Sequence, residues 1–223
     1  MDKKDFINHS PARSFEKISG GLKAGEMGLV TAKKGLGKTS VLVQFGLDAL
    51  LHDKHIVHVS FDQHSSNVIS WYDSIFAEIA KQKNMSASHE VKDAIMKTRI
   101  ILNFNQETFT LPKVISTIKA LNSGGINIAL LVIDGLTLDN VSKADIVAVH
   151  DFVKAENMSA WFSDTKDKGA LNDFCREELQ ADFAVVTHLE PSNGSIRLHV
   201  LKLRDNTNID ATVDLDSKTL LMK

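Results

Sequence analysis

The sequence predicts an α/β fold in which helices flank a mostly parallel sheet and an antiparallel β extension follows at the C-terminal end. Strand-like apolar runs alternate with helical patterns along most of the chain. Residues 129–133 contain no polar side chain, which is typical of a central parallel strand covered on both faces. Near the end, two strand-like segments follow one another with no helix between them, which favours an antiparallel hairpin or meander.

The predicted elements follow from the spacing of the apolar residues. Strands are predicted at Met27–Ala32, 56–61, 99–104, 129–133, 158–163, 183–189, Ser195–Leu203 and Thr212–Leu215. Helices are predicted at Lys38–Leu51, 67–81, 111–121, 143–156 and 171–179. In the first of these helices, Val41, Leu42, Phe45 and Ala49 recur at helical spacing.

Length and composition indicate one globular unit. A chain of 223 residues with 43% hydrophobic residues can bury a sizeable core. We therefore expect a single nucleotide-binding domain over residues 1–223, in which residues 1–13 form a flexible N-terminal arm. The single cysteine excludes an intrachain disulfide and a multi-cysteine metal site.

Charge and hydropathy narrow the classes of partner. The formal net charge is -2 and the basic residues are spread along the sequence, so nucleic-acid binding is not expected. No apolar run approaches the roughly 20 residues that cross a bilayer, so we expect no membrane insertion. The N-terminus lacks the apolar segment of a signal peptide, and we expect a cytoplasmic protein.

Residues 32–39, AKKGLGKT, match the phosphate-binding loop: a small residue, four free positions, then Gly-Lys-Ser/Thr. Glycines permit the backbone to approach phosphate oxygens, and the following helix directs its positive end at them. The match predicts nucleotide contacts from Ala32, Lys33, Lys34, Gly35, Leu36, Gly37, Lys38, Thr39 and Ser40. Lys38 would reach the β and γ phosphates, and the Thr39 hydroxyl would join the Mg²⁺ shell.

Asp134 is the second predicted magnesium ligand. It ends the most apolar strand, where a carboxylate can hold Mg²⁺ through water. The alternative is an ordinary turn-forming aspartate before Gly135. Together with the loop, Asp134 predicts binding of a nucleoside triphosphate with Mg²⁺.

The entry to the first strand carries a family resemblance. The pattern Phe15-x-x-Ile18-Ser19-Gly20-Gly21-Leu22-x-x-Gly25-Glu26, followed by a strand and the loop, resembles RecA-type ATPases and is most similar to the KaiC, RadA and DnaB branch. The segment 198–204, LHVLKLR, resembles the KaiC segment that ends in a Lys-x-Arg pair. The resemblance implies a RecA-like sheet, ATP as the nucleotide and a homo-oligomer, often a hexameric ring, with nucleotide between subunits.

The resemblance also implies catalytic roles. Lys202 and Arg204 match the pair that touches the γ-phosphate bound by a neighbouring subunit, and strand alternation would place both on one face. The alternative is two solvated cations on a half-exposed strand. Asp62 stands where family members carry the glutamate that activates water, and Gln63 replaces the second acid of KaiC. Because aspartate is shorter, either hydrolysis is slow or Asp62 is only a loop residue.

Three functions remain open at this point. The first is a KaiC-like ATPase that acts on an unidentified protein partner. The second is an ATP-binding switch or scaffold that hydrolyses slowly or not at all. The third is a DNA-dependent motor, which the near-neutral charge and the mixed-sign segment 164–168 argue against.

Overall fold

A computed structural model of the protein describes residues 3–61, 63–84, 89–104, 110–167 and 171–223. Its centre is one eight-stranded sheet, and the strands in chain order are β1 Met27–Ala32, β2 His55–Ser60, β3 Arg99–Asn103, β4 Ile128–Asp134, β5 Ser159–Thr165, β6 Val185–Ser192, β7 Ser195–Leu203 and β8 Thr212–Leu215. Their order across the sheet is β3-β2-β4-β5-β1-β6-β7-β8. The first six strands of that order are parallel to one another, and β6, β7 and β8 pair antiparallel.

The helices cover both faces of the sheet. They are α1 Lys3–Asn8, α2 Ala12–Ser19, α3 Lys38–Leu51, α4 Ser65–Gln82, α5 His89–Met96, α6 Leu111–Ser123, α7 Lys143–Ala155, α8 Leu171–Phe174 and α9 Glu177–Gln180, with a 3-10 turn at Leu138–Asn140. One apolar cluster lies beneath α3 and α4, and the other beneath α6 and α7. None of the described helices is long and apolar enough to cross a membrane.

The parallel register brings the functional segments to one edge. Ala32 of β1 lies opposite Thr165 of β5, and Ser60 of β2 lies opposite Asp134 of β4. Loops that follow parallel strands therefore meet at the same carboxyl edge, the usual ligand position in such sheets.

The predicted α/β class and its antiparallel C-terminal extension are confirmed. The predicted helix over 171–179 is wrong, because it consists of two short helices separated at Cys175 and Arg176. Cys175 is 2% exposed and closes the turn on Leu171 O, whereas Arg176 is extended, with ψ 135°. The Arg176 guanidinium then donates to Val141 O at 2.6 Å, a tertiary contact that helical periodicity could not predict.

The predicted flexible arm over residues 1–13 needs a correction for the part that is described. Residues 3–8 form α1, and Phe6 is fully buried. The Phe6 ring stacks on Phe76 of α4 with 4.5 Å between ring centroids. Burial of an aromatic ring stabilises a segment by roughly 1.5–3 kcal/mol, so this short helix is anchored to the core.

Candidate functional site at the carboxyl edge of the sheet

The loop between β1 and α3 has the backbone of an anion nest. Gly35 and Gly37 have φ of 85° and 100°, a conformation that side-chain-bearing residues rarely adopt. Gly37 is also the N-cap of α3, where no side chain caps the first turn. The positive end of a 14-residue helix therefore faces the loop without a competing side-chain acceptor, as an anion-binding N-terminus requires.

The Lys38 ammonium lies at the mouth of this loop. Its Nζ donates to Thr165 Oγ1 at 3.0 Å and to Ala32 O at 3.4 Å. Thr165 ends β5, so the strand beside β1 supplies the hydroxyl that holds the lysine. The cation is thus positioned over the loop, where negative charge on a ligand would replace these neutral acceptors.

The Thr39 hydroxyl and the Asp134 carboxylate meet directly. Thr39 Oγ1 donates to Asp134 Oδ2 at 2.7 Å, and Ser163 Oγ donates to Asp134 Oδ1 at 2.5 Å. Ser163 Oγ in turn accepts from the Gly135 N–H at 2.9 Å. Both carboxylate oxygens are therefore oriented by hydroxyl groups, and a hydroxyl paired with a carboxylate is a suitable partial ligand set for Mg²⁺.

His58 lies behind Asp134 in the core. It is fully buried, its Nδ1 lies 3.1 Å from the Tyr72 hydroxyl, and its Nε2 lies 3.8 Å from Asp134 Oδ2. That last distance is too long for a hydrogen bond. Burial by itself raises the pKa of Asp134, but the His58 imidazole and the Ser163 and Thr39 hydroxyls outweigh it and hold that pKa below its usual value. Asp134 is therefore a carboxylate at neutral pH.

Gln63 supplies an amide at the same point. Its Nε2 donates to Thr39 Oγ1 at 3.1 Å, and its backbone is fixed by Ser60, whose hydroxyl accepts from the Gln63 N–H at 3.1 Å. A side-chain amide that reaches this position can orient a water molecule, as glutamine does in some P-loop nucleotide hydrolases.

These groups line one cleft of about 520 Å³, within the usual range for a small-molecule site. Two apolar side chains also line it, Trp71 of α4 and Leu220 of the C-terminal segment. Leu220 lies close to Gly37: a Cβ atom added to that glycine would stand 3.3 Å from a Leu220 methyl group. Among the described residues that line the cleft, Asp134 is the only carboxylate.

The residues predicted for the loop and the metal come together, whereas the other predicted catalytic residues are placed differently. Lys202 and Arg204 lie near the amino ends of the parallel strands, far from the loop of the same chain. Lys202 Nζ donates to Phe183 O at 2.7 Å and also to Gln180 O. Asp62 lies outside the described residues.

Arg204 is engaged by the segment that precedes β1. Its guanidinium donates to both carboxylate oxygens of Glu26, at 2.8 Å and 3.0 Å, and to the carbonyls of Ser19 and Gly21. The alternation argument that placed Lys202 and Arg204 on one face is wrong, because β7 ends at Leu203 and Arg204 has φ 56°. The two side chains contact different segments for that reason.

No group of three or more acidic, histidine or cysteine side chains suited to a metal occurs in the part of the chain that the structure describes. A Mg²⁺ ion at Thr39 and Asp134 does not need one. Magnesium in nucleotide sites usually has one or two protein ligands, and water and phosphate oxygens complete its octahedron.

No protein-family model matches the sequence, and no curated protein matches it. Solved structures do match. One is the ATPase domain of a DnaB-like helicase, which aligns with a TM-score of 0.72 and 14% sequence identity over 96% of this chain and 89% of that chain. At this identity the likeness establishes the fold alone. The protein has the fold of the RecA-superfamily P-loop ATPases, as the entry motif and the loop predicted.

Sequence reasoning does not assign three residues that the structure brings to the cleft. Gln63 stands out only as a substitution in a family pattern, although its position directly after a strand next to β4 is a usable signal. Ser163 ends a strand where a phosphate sensor could lie, but it orients Asp134 instead. Leu220 carries no motif, and nothing in the sequence connects it with a loop about 180 residues earlier.

Proposed function

We propose that this protein is a Mg-ATP-binding P-loop ATPase of the KaiC-like type, which acts as an oligomer with nucleotide at subunit interfaces and hydrolyses ATP slowly. The observation that carries the proposal is the 2.7 Å hydrogen bond between Thr39 and Asp134 beside the glycine nest. It joins the hydroxyl and the carboxylate that a nucleotide-bound Mg²⁺ requires. The residues present therefore fit Mg-ATP.

Each side chain has a distinct task in this proposal. The loop N–H groups bind the phosphates, and Lys38 leaves Thr165 to contact the β and γ phosphates. Thr39 and Asp134 hold Mg²⁺, which when bound neutralises charge on the phosphate oxygens. Ser163 and His58 keep the Asp134 carboxylate oriented and ionised. Gln63 orients the attacking water.

Slow hydrolysis is proposed from the acid–base groups at the γ-phosphate end. Asp62 is the proposed general base, one methylene shorter than glutamate. The neighbouring Gln63 can orient water but cannot accept its proton. General-base catalysis contributes roughly 10²–10⁴-fold, so a base held too far from water would leave mainly the electrostatic part of catalysis.

Subunit contact is proposed for Lys202 and Arg204. In a head-to-tail ring the two faces of each interface are different, so a residue that acts on the neighbour's nucleotide lies away from its own loop. The amino end of the sheet meets that condition. To reach a neighbour, Arg204 would have to exchange its bidentate contact with Glu26 for phosphate oxygens.

A second candidate is an ATP-binding switch or scaffold with no useful turnover that docks on a protein partner. It is favoured by the cleft lining, where the described residues offer no carboxylate except Asp134. ATP turnover measured together with mass in solution, with and without Mg-ATP, separates the two. An assembly that turns over ATP supports the ATPase, whereas assembly without turnover supports the switch. No binding of Mg-ATP would contradict both.

A further inference from the structure

A second cavity, of about 400 Å³, lies away from the nucleotide cleft and shares no lining residue with it. It is enclosed by the joint between α1 and α2, the C-terminal end of α4 and the last residues of the chain. Its floor is apolar: Ile79, Leu221 and Met222 are between 2% and 4% exposed. We call it the basic cavity because of its rim.

The rim of the basic cavity carries cationic side chains from three segments. Arg13 and Lys17 come from α2, Lys83 follows α4, and His9 and Lys223 complete the set. No aspartate or glutamate is among the described residues that line it. This concentration of positive charge stands out on a protein whose formal net charge is -2.

Neighbouring carboxylates do not neutralise this rim. Lys223 pairs with Asp216 at 2.9 Å and is therefore balanced. Arg13, Lys17 and Lys83 are exposed, and none of them forms an ion pair with a carboxylate in the described part of the chain. Glu16, the acidic residue between Arg13 and Lys17, lines a different cavity with Asp48. Three uncompensated cations therefore face one space.

The wall that carries Arg13 and Lys17 is preformed. Ser10 is 5% exposed, and its carbonyl accepts from the Arg13 N–H at 3.1 Å, which fixes the joint between α1 and α2. The amino end of α2 lies at this joint and adds the positive end of a helix dipole. A preformed wall reduces the ordering cost of binding.

We propose that the basic cavity binds a small anion that carries two or more phosphate groups. One phosphate would leave most of the volume empty and most of the cations unpaired, whereas a di- or triphosphate can contact cations on both sides of the space. The apolar floor leaves room for a nonpolar portion of such a ligand. The floor also belongs to the segment that supplies Leu220 to the nucleotide cleft, so the two sites lie on either side of one strap.

Inorganic tripolyphosphate is the probe, titrated by calorimetry into the full chain carrying Lys38→Ala, which weakens phosphate binding at the loop. We expect one binding site. In the same background, Arg13→Ala/Lys17→Ala/Lys83→Ala should weaken binding by at least about tenfold, the equivalent of about 1.4 kcal/mol. Lys83→Glu alone should weaken it as well and serves as a second variant.

The matched control is Lys23→Ala/Lys97→Ala/Lys143→Ala, which removes the same charge from exposed positions outside the cavity. It should change the dissociation constant by less than about twofold, since distant exposed charges are screened. Equal weakening in control and cavity variants would overturn the proposal, as would no binding at all. Tighter binding of a single-stranded oligonucleotide through Arg13, Lys17 and Lys83 would overturn the assignment to a small anion.

Discussion

The Thr39 hydroxyl donates a 2.7 Å hydrogen bond to Oδ2 of Asp134, although the two residues are 95 positions apart in sequence. The contact exists because β1 and β4 are separated only by β5 in the sheet, and both strands end at the same edge. It places a hydroxyl and an ionised carboxylate beside the glycine nest.

Asp134→Asn should remove the dependence of nucleotide affinity on magnesium. An amide keeps the shape of the side chain and can still accept from Thr39, but it lacks the charge that holds the ion through water. We expect Mg²⁺ to strengthen binding of a fluorescent ATP analogue to the unmodified protein by on the order of tenfold or more, or about 1.4 kcal/mol, and to have little effect on the variant. Asp139→Asn is a control on an exposed carboxylate. An unchanged magnesium effect in Asp134→Asn would contradict the metal assignment.

Asp62→Asn should abolish multiple turnover while ATP affinity stays nearly intact. If Asp62 is the base, its loss should lower the steady-state rate by about 100-fold or more. Gln63→Ala should lower the rate less, because orientation of water is lost but the proton acceptor remains. Equal rates for Asp62→Asn and the unmodified protein would reject the base role and leave Asp62 as a loop residue.

Arg204→Ala should remove both a structural contact and the proposed contact in trans, so it is compared with Glu26→Gln. Both substitutions break the ion pair between Arg204 and Glu26, and each should lower the free energy of unfolding by about 2 kcal/mol. Only Arg204→Ala should abolish turnover if the guanidinium acts on a neighbour's nucleotide. Loss of turnover in Glu26→Gln to the same extent would show that the role of Arg204 is structural.

Mixing experiments test whether Lys202 and Arg204 act across an interface. Subunits carrying Lys38→Ala are mixed with subunits carrying Lys202→Ala and Arg204→Ala, both inactive alone. Mixed rings should regain part of the activity, because some interfaces combine an intact loop with an intact pair. Absence of recovery at every ratio would argue against a shared site. Arg197→Ala, which removes a partly exposed arginine paired with Asp214, is the control.

Asp164→Asn should stabilise the protein at pH 8 but not at pH 4. Burial raises the pKa of Asp164 to about 6, and the Lys166 charge only partly opposes this. The folded state then binds more protons than the unfolded state between about pH 4 and 6, so stability falls as pH rises through this range. Thermal unfolding against pH should show a gain on the order of 1–3 kcal/mol above pH 7. A gain that is the same at pH 4 would contradict the pKa direction.

The sheet and the loop could be predicted because their signals are local. An apolar strand, a glycine pair and an amphipathic helix follow one another over residues 27–51, and this order leaves the backbone few alternatives. The C-terminal helix prediction failed where a local pattern met a tertiary contact, the Arg176 guanidinium on Val141 O. Periodicity reports which face is apolar, but it does not report where an adjacent loop captures a side chain.

The sequence by itself determined the nucleotide loop, the strand that ends in Asp134 and the α/β class, since each depends on residues close together along the chain. Only the tertiary structure decided which residues meet from afar. It brought Gln63 to Thr39, engaged Arg204 with Glu26 and gathered Arg13, Lys17 and Lys83 around one cavity. The physical reason is that such distances depend on strand order and on the packing of helices against the sheet, which no short segment encodes.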